Sequence, residues 1–203
     1  MKRLLVTLLS VAAIQGGLRA APQTFDFKDP KGVNNAVFKL DAPLEAITGS
    51  ANGISGTVTF DPENPGATKG KLIVASASLH VPNPMMNGHL KGEQWMNVAK
   101  YPEITFEAKE LKNVKTTANM TSADVAGTLT IKGQAKEVTV PVKLTYLKDK
   151  LSQRVPNMKG DLLVLRANFN VKRSDFGINP EAPQDKVSDV IELTLSLAGA
   201  SAH

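Results

Sequence analysis

The residues able to do chemistry in this chain of 203 are few. It has no cysteine and three histidines, His80, His89 and His203. Zero cysteine removes thiol nucleophiles, disulfide frameworks, Cys-ligated zinc and iron–sulfur clusters together. Serines are plentiful, but none sits in a Gly-x-Ser-x-Gly elbow, and no Gly-rich phosphate loop with Lys-Ser/Thr is present. Glu103 and Glu107 are four apart, yet in an alternating strand both point outward to water, so they do not make an acid–base pair. Met85, Met86 and His89 lie within five residues. Thioether plus imidazole suits Cu(I), and the competing reading is that the methionines fill irregular apolar gaps. Without further ligands the packing reading is preferred, and no metal or other cofactor is expected. The inventory points away from catalysis.

What remains is an apolar interior. Phe38, Phe60, Phe106, Leu129, Ile131 and Phe169 all fall on candidate strand faces and bring no charge with them. A cavity lined by such residues selects a long apolar molecule, at about 0.8 kcal/mol per buried CH2. The same residues could equally pack on one another. Periodicity alone does not separate a lined cavity from a filled core.

The elements that would position them repeat with period two. Ile54–Asp61, Ile104–Lys109, Val125–Lys132, Val138–Tyr146 and Val187–Leu197 alternate apolar with polar residues and are rich in Val, Ile and Thr. That pattern predicts strands with one covered face. Ala36–Leu40, Lys71–Leu79 and Leu162–Val171 are further strand candidates, the last two with apolar residues in both phases. Turn signals separate the runs at Asp61–Gly66, Lys132-Gly133, Asp149-Lys150 and Asn157–Asp161. Pro141 inside a strand pattern predicts an edge, a bulge or a strand start. Gly88–Val98 alone reads as helical, with Leu90, Trp95 and Val98 on one stripe. The expectation is an all-β domain: one antiparallel barrel of about eight strands with a short helix.

Residues 1–20 read as a secretory signal. Lys2 and Arg3 precede the apolar core Leu4–Ile14, and Leu18-Arg19-Ala20 is a cleavage site, with the cut expected after Ala20. That core is short of the roughly 20 apolar residues a membrane span needs, so no stable membrane insertion is expected. The expected mature domain is 21–203, periplasmic or secreted. Without Lys2, Arg3 and Arg19, the 24 basic residues fall to 21 against 19 acidic ones, a net charge of +2. No basic run with interleaved aromatics survives, which excludes nucleic acid as an expected partner.

Several blocks resemble the YceI-like family. They are Phe60-Asp-Pro-Glu-Asn-Pro65, His89-Leu90 with Trp95–Phe106, Gly127–Gly133 followed by Val138-Thr-Val-Pro-Val142, and Arg173–Ile178. They occur in the family's order over roughly residues 24–198. The resemblance implies an extended, lipocalin-like eight-stranded barrel with a short helix near its mouth. It implies an exported, non-enzymatic protein that holds a polyisoprenoid chain, such as a quinone or prenyl phosphate tail, in the barrel. Trp95 and Phe176 from these blocks join Phe38, Phe60, Phe106, Leu129, Ile131 and Phe169 as candidate ligand contacts. Two departures concern the head group: the family's His-Ser pair before the first strand is replaced around Gly32–Asn35, and Met85-Met86-Asn87 stands where an Arg is expected. The partner expected is therefore an isoprenoid or other long-chain apolar ligand; the alternative is a stress-response or protein-interaction barrel with a packed core.

Overall fold

A computed structural model describes residues 21–203. The expected signal segment, 1–20, lies outside the described residues. Ten strands form one sheet: β1 Gln23–Asp26, β2 Asn35–Asp41, β3 Ala46–Ala51, β4 Ile54–Phe60, β5 Lys69–Ala75, β6 Glu103–Thr117, β7 Met120–Ile131, β8 Gln134–Leu147, β9 Gly160–Lys172 and β10 Val190–Ala202. Helix α1 spans Pro84–Lys91 and the single turn α2 spans Leu151–Arg154. All pairings are antiparallel, in the order β1-β4-β5-β6-β7-β8-β9-β10, with β1 returning to β10 to close an eight-stranded barrel. The seam between β8 and β9 is only partly zipped: it pairs Val142–Leu147 with Leu162–Ala167 and leaves Gln134–Pro141 of β8 without a partner on that side.

The two extra strands explain how the barrel is closed at different heights. At its lower end β1 bridges β4 and β10. Higher up, β10 pairs with β2 instead, through Glu192–Ser196, and β2 carries β3. The β3 edge meets the chain after β5 in one two-way bridge: Ser50 N donates to His80 O at 2.9 Å and His80 N to Ser50 O at 2.8 Å. Between β1 and β2 the backbone leaves the ladder, and the buried side chain of Asn34 takes over. Its Nδ2 donates to the carbonyls of Phe27 and Ala198, both at 3.0 Å, while its Oδ1 accepts from Ala198 N at 2.8 Å. Arg154 holds Asn34 Oδ1 at 3.2 Å and Asp29 Oδ2 at 2.8 Å.

Alternation places the core inside the barrel. β7 is strictly two-periodic in burial from Thr121 to Ile131, as its Val/Ala/Leu/Ile positions dictate. Outward positions are polar, for example Lys143, Arg166, Asn168 and Glu192. Glu107 faces water and Phe106 the interior. Pro141 sits where β8 has no β9 partner, because the β8–β9 ladder begins at Val142↔Ala167; this is the edge position that its missing N–H requires.

Three expectations need correction. The helix is Pro84–Lys91 rather than Gly88–Val98. Pro84 marks its first turn instead of breaking it, and Asn83 Oδ1 caps the N–H groups of Met85 and Met86 at 3.0 and 3.2 Å. The strand expected over Lys71–Leu79 ends at Ala75 and passes into a 3-10 turn at Ser76–Ser78. β1 and β3 escape the alternation reading because one is only four residues long and the other, Ala-Ile-Thr-Gly-Ser-Ala, is mostly small and polar.

Candidate ligand-binding cavity

Within the barrel lie two adjoining chambers. The outer one, about 170 Å³, opens beside α1 and is bounded by Leu40, Val81, Met86, Trp95, Ile178 and Val187 among others. The inner one, about 160 Å³, is walled by β4–β10, with Val58, Phe106, Val125, Leu144, Leu165 and Leu195 representing its strands. Phe38, Leu79, Ile104, Ile131 and Leu193 border both chambers and form a waist between them. Apart from Thr68 and Lys69 at the β4–β5 corner, the inner lining side chains are aliphatic or aromatic, with Gly70 among them. The Thr68 hydroxyl is tied to Pro65 O at 2.6 Å.

Glycines make room for the lining aromatics. Phe38 lies over Gly49, its partner across β2–β3, where an added Cβ would stand 2.2 Å from the ring. Phe106 lies over Gly127, with the corresponding distance 2.7 Å. Large rings on one strand are thus accepted by missing side chains on the next, and the rings lie along the wall instead of crossing the interior.

The eight sequence candidates divide accordingly. Phe106, Leu129 and Phe169 border the inner chamber, Trp95 the outer one, and Phe38 and Ile131 both. Phe60 and Phe176 border neither. Phe60 is the last residue of β4 and packs below the inner chamber against Tyr146, with ring centroids 6.1 Å apart. Phe176 follows β9 on the 3-10 turn Ser174–Phe176, which packs on β8 and β9 and buries the ring in the upper core. Sequence reasoning passed over Leu193 and Leu195, although both share the inward phase of β10, and it also passed over Met86 as a wall residue.

Arg173 is the main surprise at the mouth. Its side chain is fully buried, at 0% exposure, against the outer chamber. Nε donates to Ser188 O at 3.3 Å; one terminal nitrogen donates to Ile178 O at 2.7 Å and to Asn179 O, and the other to Ala182 O and Val187 O, each at 3.4 Å. Its guanidinium also lies 5.9 Å from the Trp95 ring centroid. Every guanidinium donor is therefore used in holding the 178–188 loop as one rim of the mouth. Burial lowers the Arg173 pKa, opposed by the charge of Asp189. Lys132 ties the segment after α1 to the residue preceding that rim by donating to Gln94 O and Gly177 O, both at 2.9 Å, and burial lowers its pKa too.

Two groupings bear on metal binding. Met85 is 73% exposed while Met86 and His89 border the outer chamber, so the two thioethers face different surroundings. Asp149, Asp161 and His203 offer ligand atoms within 4.8 Å of one another. The Asp161 oxygens already accept from the Tyr146 hydroxyl at 2.6 Å and from Asp149 N at 2.7 Å, a network that closes the barrel floor.

With a closed barrel and an apolar interior established, comparison with known proteins is decisive at the level of family. A sequence model of the YceI-like domain matches residues 26–198. The chain belongs to the YceI-like family. A UPF0312 protein of Yersinia pestis is 34% identical over 153 residues, covering 75% of this chain and 73% of its own. Among solved structures, Burkholderia cenocepacia BcnA matches with a TM-score of 0.64 at 22% identity, covering 81% of this chain and 94% of that one. A polyisoprenoid binding domain from Saccharophagus degradans, implicated in plant cell wall breakdown, matches with a TM-score of 0.63 at 11% identity, covering 89% and 99%. These structural likenesses establish a shared fold, the lipocalin-like barrel.

Proposed function

We propose that this YceI-like protein binds one long apolar chain, an isoprenoid or a similar lipid tail, inside its barrel, and that it serves transport, storage or sequestration rather than catalysis. The observation that carries this reading is the pair of chambers meeting at a shared waist, which makes one apolar channel from the mouth toward the barrel floor. The polyisoprenoid-binding description of the Saccharophagus domain supports the same ligand class. The chamber linings contain no carboxylate, and their ionisable side chains are His89, Arg173 and Lys69. That set favours holding a molecule over acid–base chemistry on it.

An exported location follows from the reading of residues 1–20: cleavage after Ala20 releases a periplasmic or secreted protein. Among the described residues no helix is long and apolar enough to cross a membrane. The polar outward positions of β7–β10 lack the apolar band of membrane-spanning barrels, which supports a water-exposed outer face.

The test is the lipid content of protein purified from its native envelope, read by mass spectrometry of an organic extract. Wild type is expected to carry an apolar chain. Phe106→Asn puts an amide into the inner chamber, at about 1–3 kcal/mol if unpartnered, and should lower lipid content in folded protein. Glu107→Gln, on the outward face, should change stability by no more than about 0.5 kcal/mol and leave the lipid unaltered. Lipid-free wild type, or an unchanged load in folded Phe106→Asn protein, would count against the proposal.

A further inference from the structure

The inner chamber ends abruptly, and the sheet register shows where. On β8, Val140, Val142 and Leu144 border it but the next inward residue, Tyr146, does not. On β9, Leu165 borders it and Leu163 does not; on β10, Leu197 borders it and the next inward position is Gly199. The space at Gly199 is filled by Phe27, whose ring atoms would stand 2.6 Å from an added Cβ. Phe25 and Phe60 complete the layer, packing on Tyr146 with centroids 6.3 and 6.1 Å away.

That layer is tied down by polar contacts on its far side. The Tyr146 hydroxyl donates to Asp161, and Asn34 holds the Phe27 carbonyl. The rings are thus fixed at their polar or backbone ends and form the layer next below Val58, Leu144, Leu165 and Leu197, the last residues to line the chamber.

We infer that this aromatic floor, in which Phe27 fills the space at Gly199, is a length gauge that sets how much of an apolar chain the barrel accepts. The inference rests on the reading that the channel holds such a chain. From Val171 at the outer chamber to Leu165 above the floor is six residues of β9. Six residues span about 20 Å along a strand, or about 15 Å along the axis of a barrel tilted by about 40°. An extended tail of a few isoprene units fills that depth, and further units have to remain outside the mouth. The preferred occupant is then a short prenyl chain, or the terminal part of a long one, with its methyl end directed at the floor.

The experiment measures Kd of the mature protein, freed of lipid, for a series of all-trans prenols of increasing length. Affinity should rise about tenfold or more with each added isoprene unit while apolar surface is still being buried, then stop rising at one length. Phe27→Ala deepens the chamber and should move that break to a longer prenol. Ala167→Leu, on the chamber wall, fills it from the side without removing any floor contact and should move the break to a shorter one. Should Phe27→Ala fail to fold, the Ala167→Leu shift and the wild-type break still decide. A wild-type Kd that keeps falling through the longest prenol, or a break that stays in place in a folded variant, overturns the gauge while leaving chain binding intact. Failure of every prenol to bind wild type overturns the binding reading itself.

Discussion

Asn34 offers the sharpest energetic test because one side chain replaces a missing stretch of β-ladder. It is 2% exposed, and its four hydrogen bonds join Phe27, Ala198 and Arg154. Asn34→Ala takes away the side-chain acceptor of the Ala198 N–H and removes one donor from each of two carbonyls. An orphaned buried N–H costs about 1–3 kcal/mol, and carbonyls tolerate the loss of one partner better. The expected total is about 2–4 kcal/mol. At about 2–4 °C per kcal/mol for a domain of this size, Tm should fall by about 10 °C. Asn34→Asp separates acceptor from donor: it keeps the bond from Ala198 N–H but turns an oxygen toward the Phe27 and Ala198 carbonyls. Only the protonated acid can donate there, so the Asp variant should recover stability relative to wild type as pH falls. The assay is urea or thermal unfolding of the three proteins across pH. A loss no larger than about 0.5 kcal/mol for Asn34→Ala, the range of an ordinary surface change, would refute the role assigned to this side chain.

Two further outcomes are expected. Burial, then the Asp161 hydrogen bond, pushes the Tyr146 hydroxyl up to about 12, so its contribution is present below pH 10 and lost as pH rises toward 12. Burial opposes but does not outweigh the hydrogen bonds from Asp149 N–H and Tyr146, so Asp161 stays below its ordinary 3.8 and its contribution is lost as pH falls through that depressed value. Tyr146→Phe should flatten the alkaline limb and Asp161→Asn the acid limb of a stability–pH profile; unchanged limbs would contradict the floor network. Arg173→Lys should fail to rescue Arg173→Met, because a lysine cannot span carbonyls from Ile178 to Ser188. Both variants should lose about 3 kcal/mol in urea unfolding and show faster proteolysis within 178–188; wild-type stability and protection in the Lys variant would dismiss the rim-holding role.

Much of this architecture was legible in the sequence because a strand has a side-chain period of two. Alternation along Val125–Ile131 and Val138–Tyr146 identifies inward residues without reference to any partner, and it places Phe106 inside and Glu107 outside. The blocks around Trp95–Phe106 and Gly127–Gly133 carried the family. Period two says which face a residue occupies, but nothing about its height along the barrel or the distance to the opposite wall. Tertiary structure therefore decided that Phe60 lies in the floor while Phe38 and Phe106 line chambers, and that Phe176 packs outside both. It also decided that the interior holds two chambers at all, since this depends on barrel closure and on rings lying over Gly49 and Gly127 of neighbouring strands. The work of Asn34 and Arg173 was hidden for the same reason. Apart from the Arg154 guanidinium on Asn34, their hydrogen-bond partners are backbone groups brought close by the fold, up to 164 residues away in sequence for Asn34 and Ala198, and no local pattern encodes such contacts.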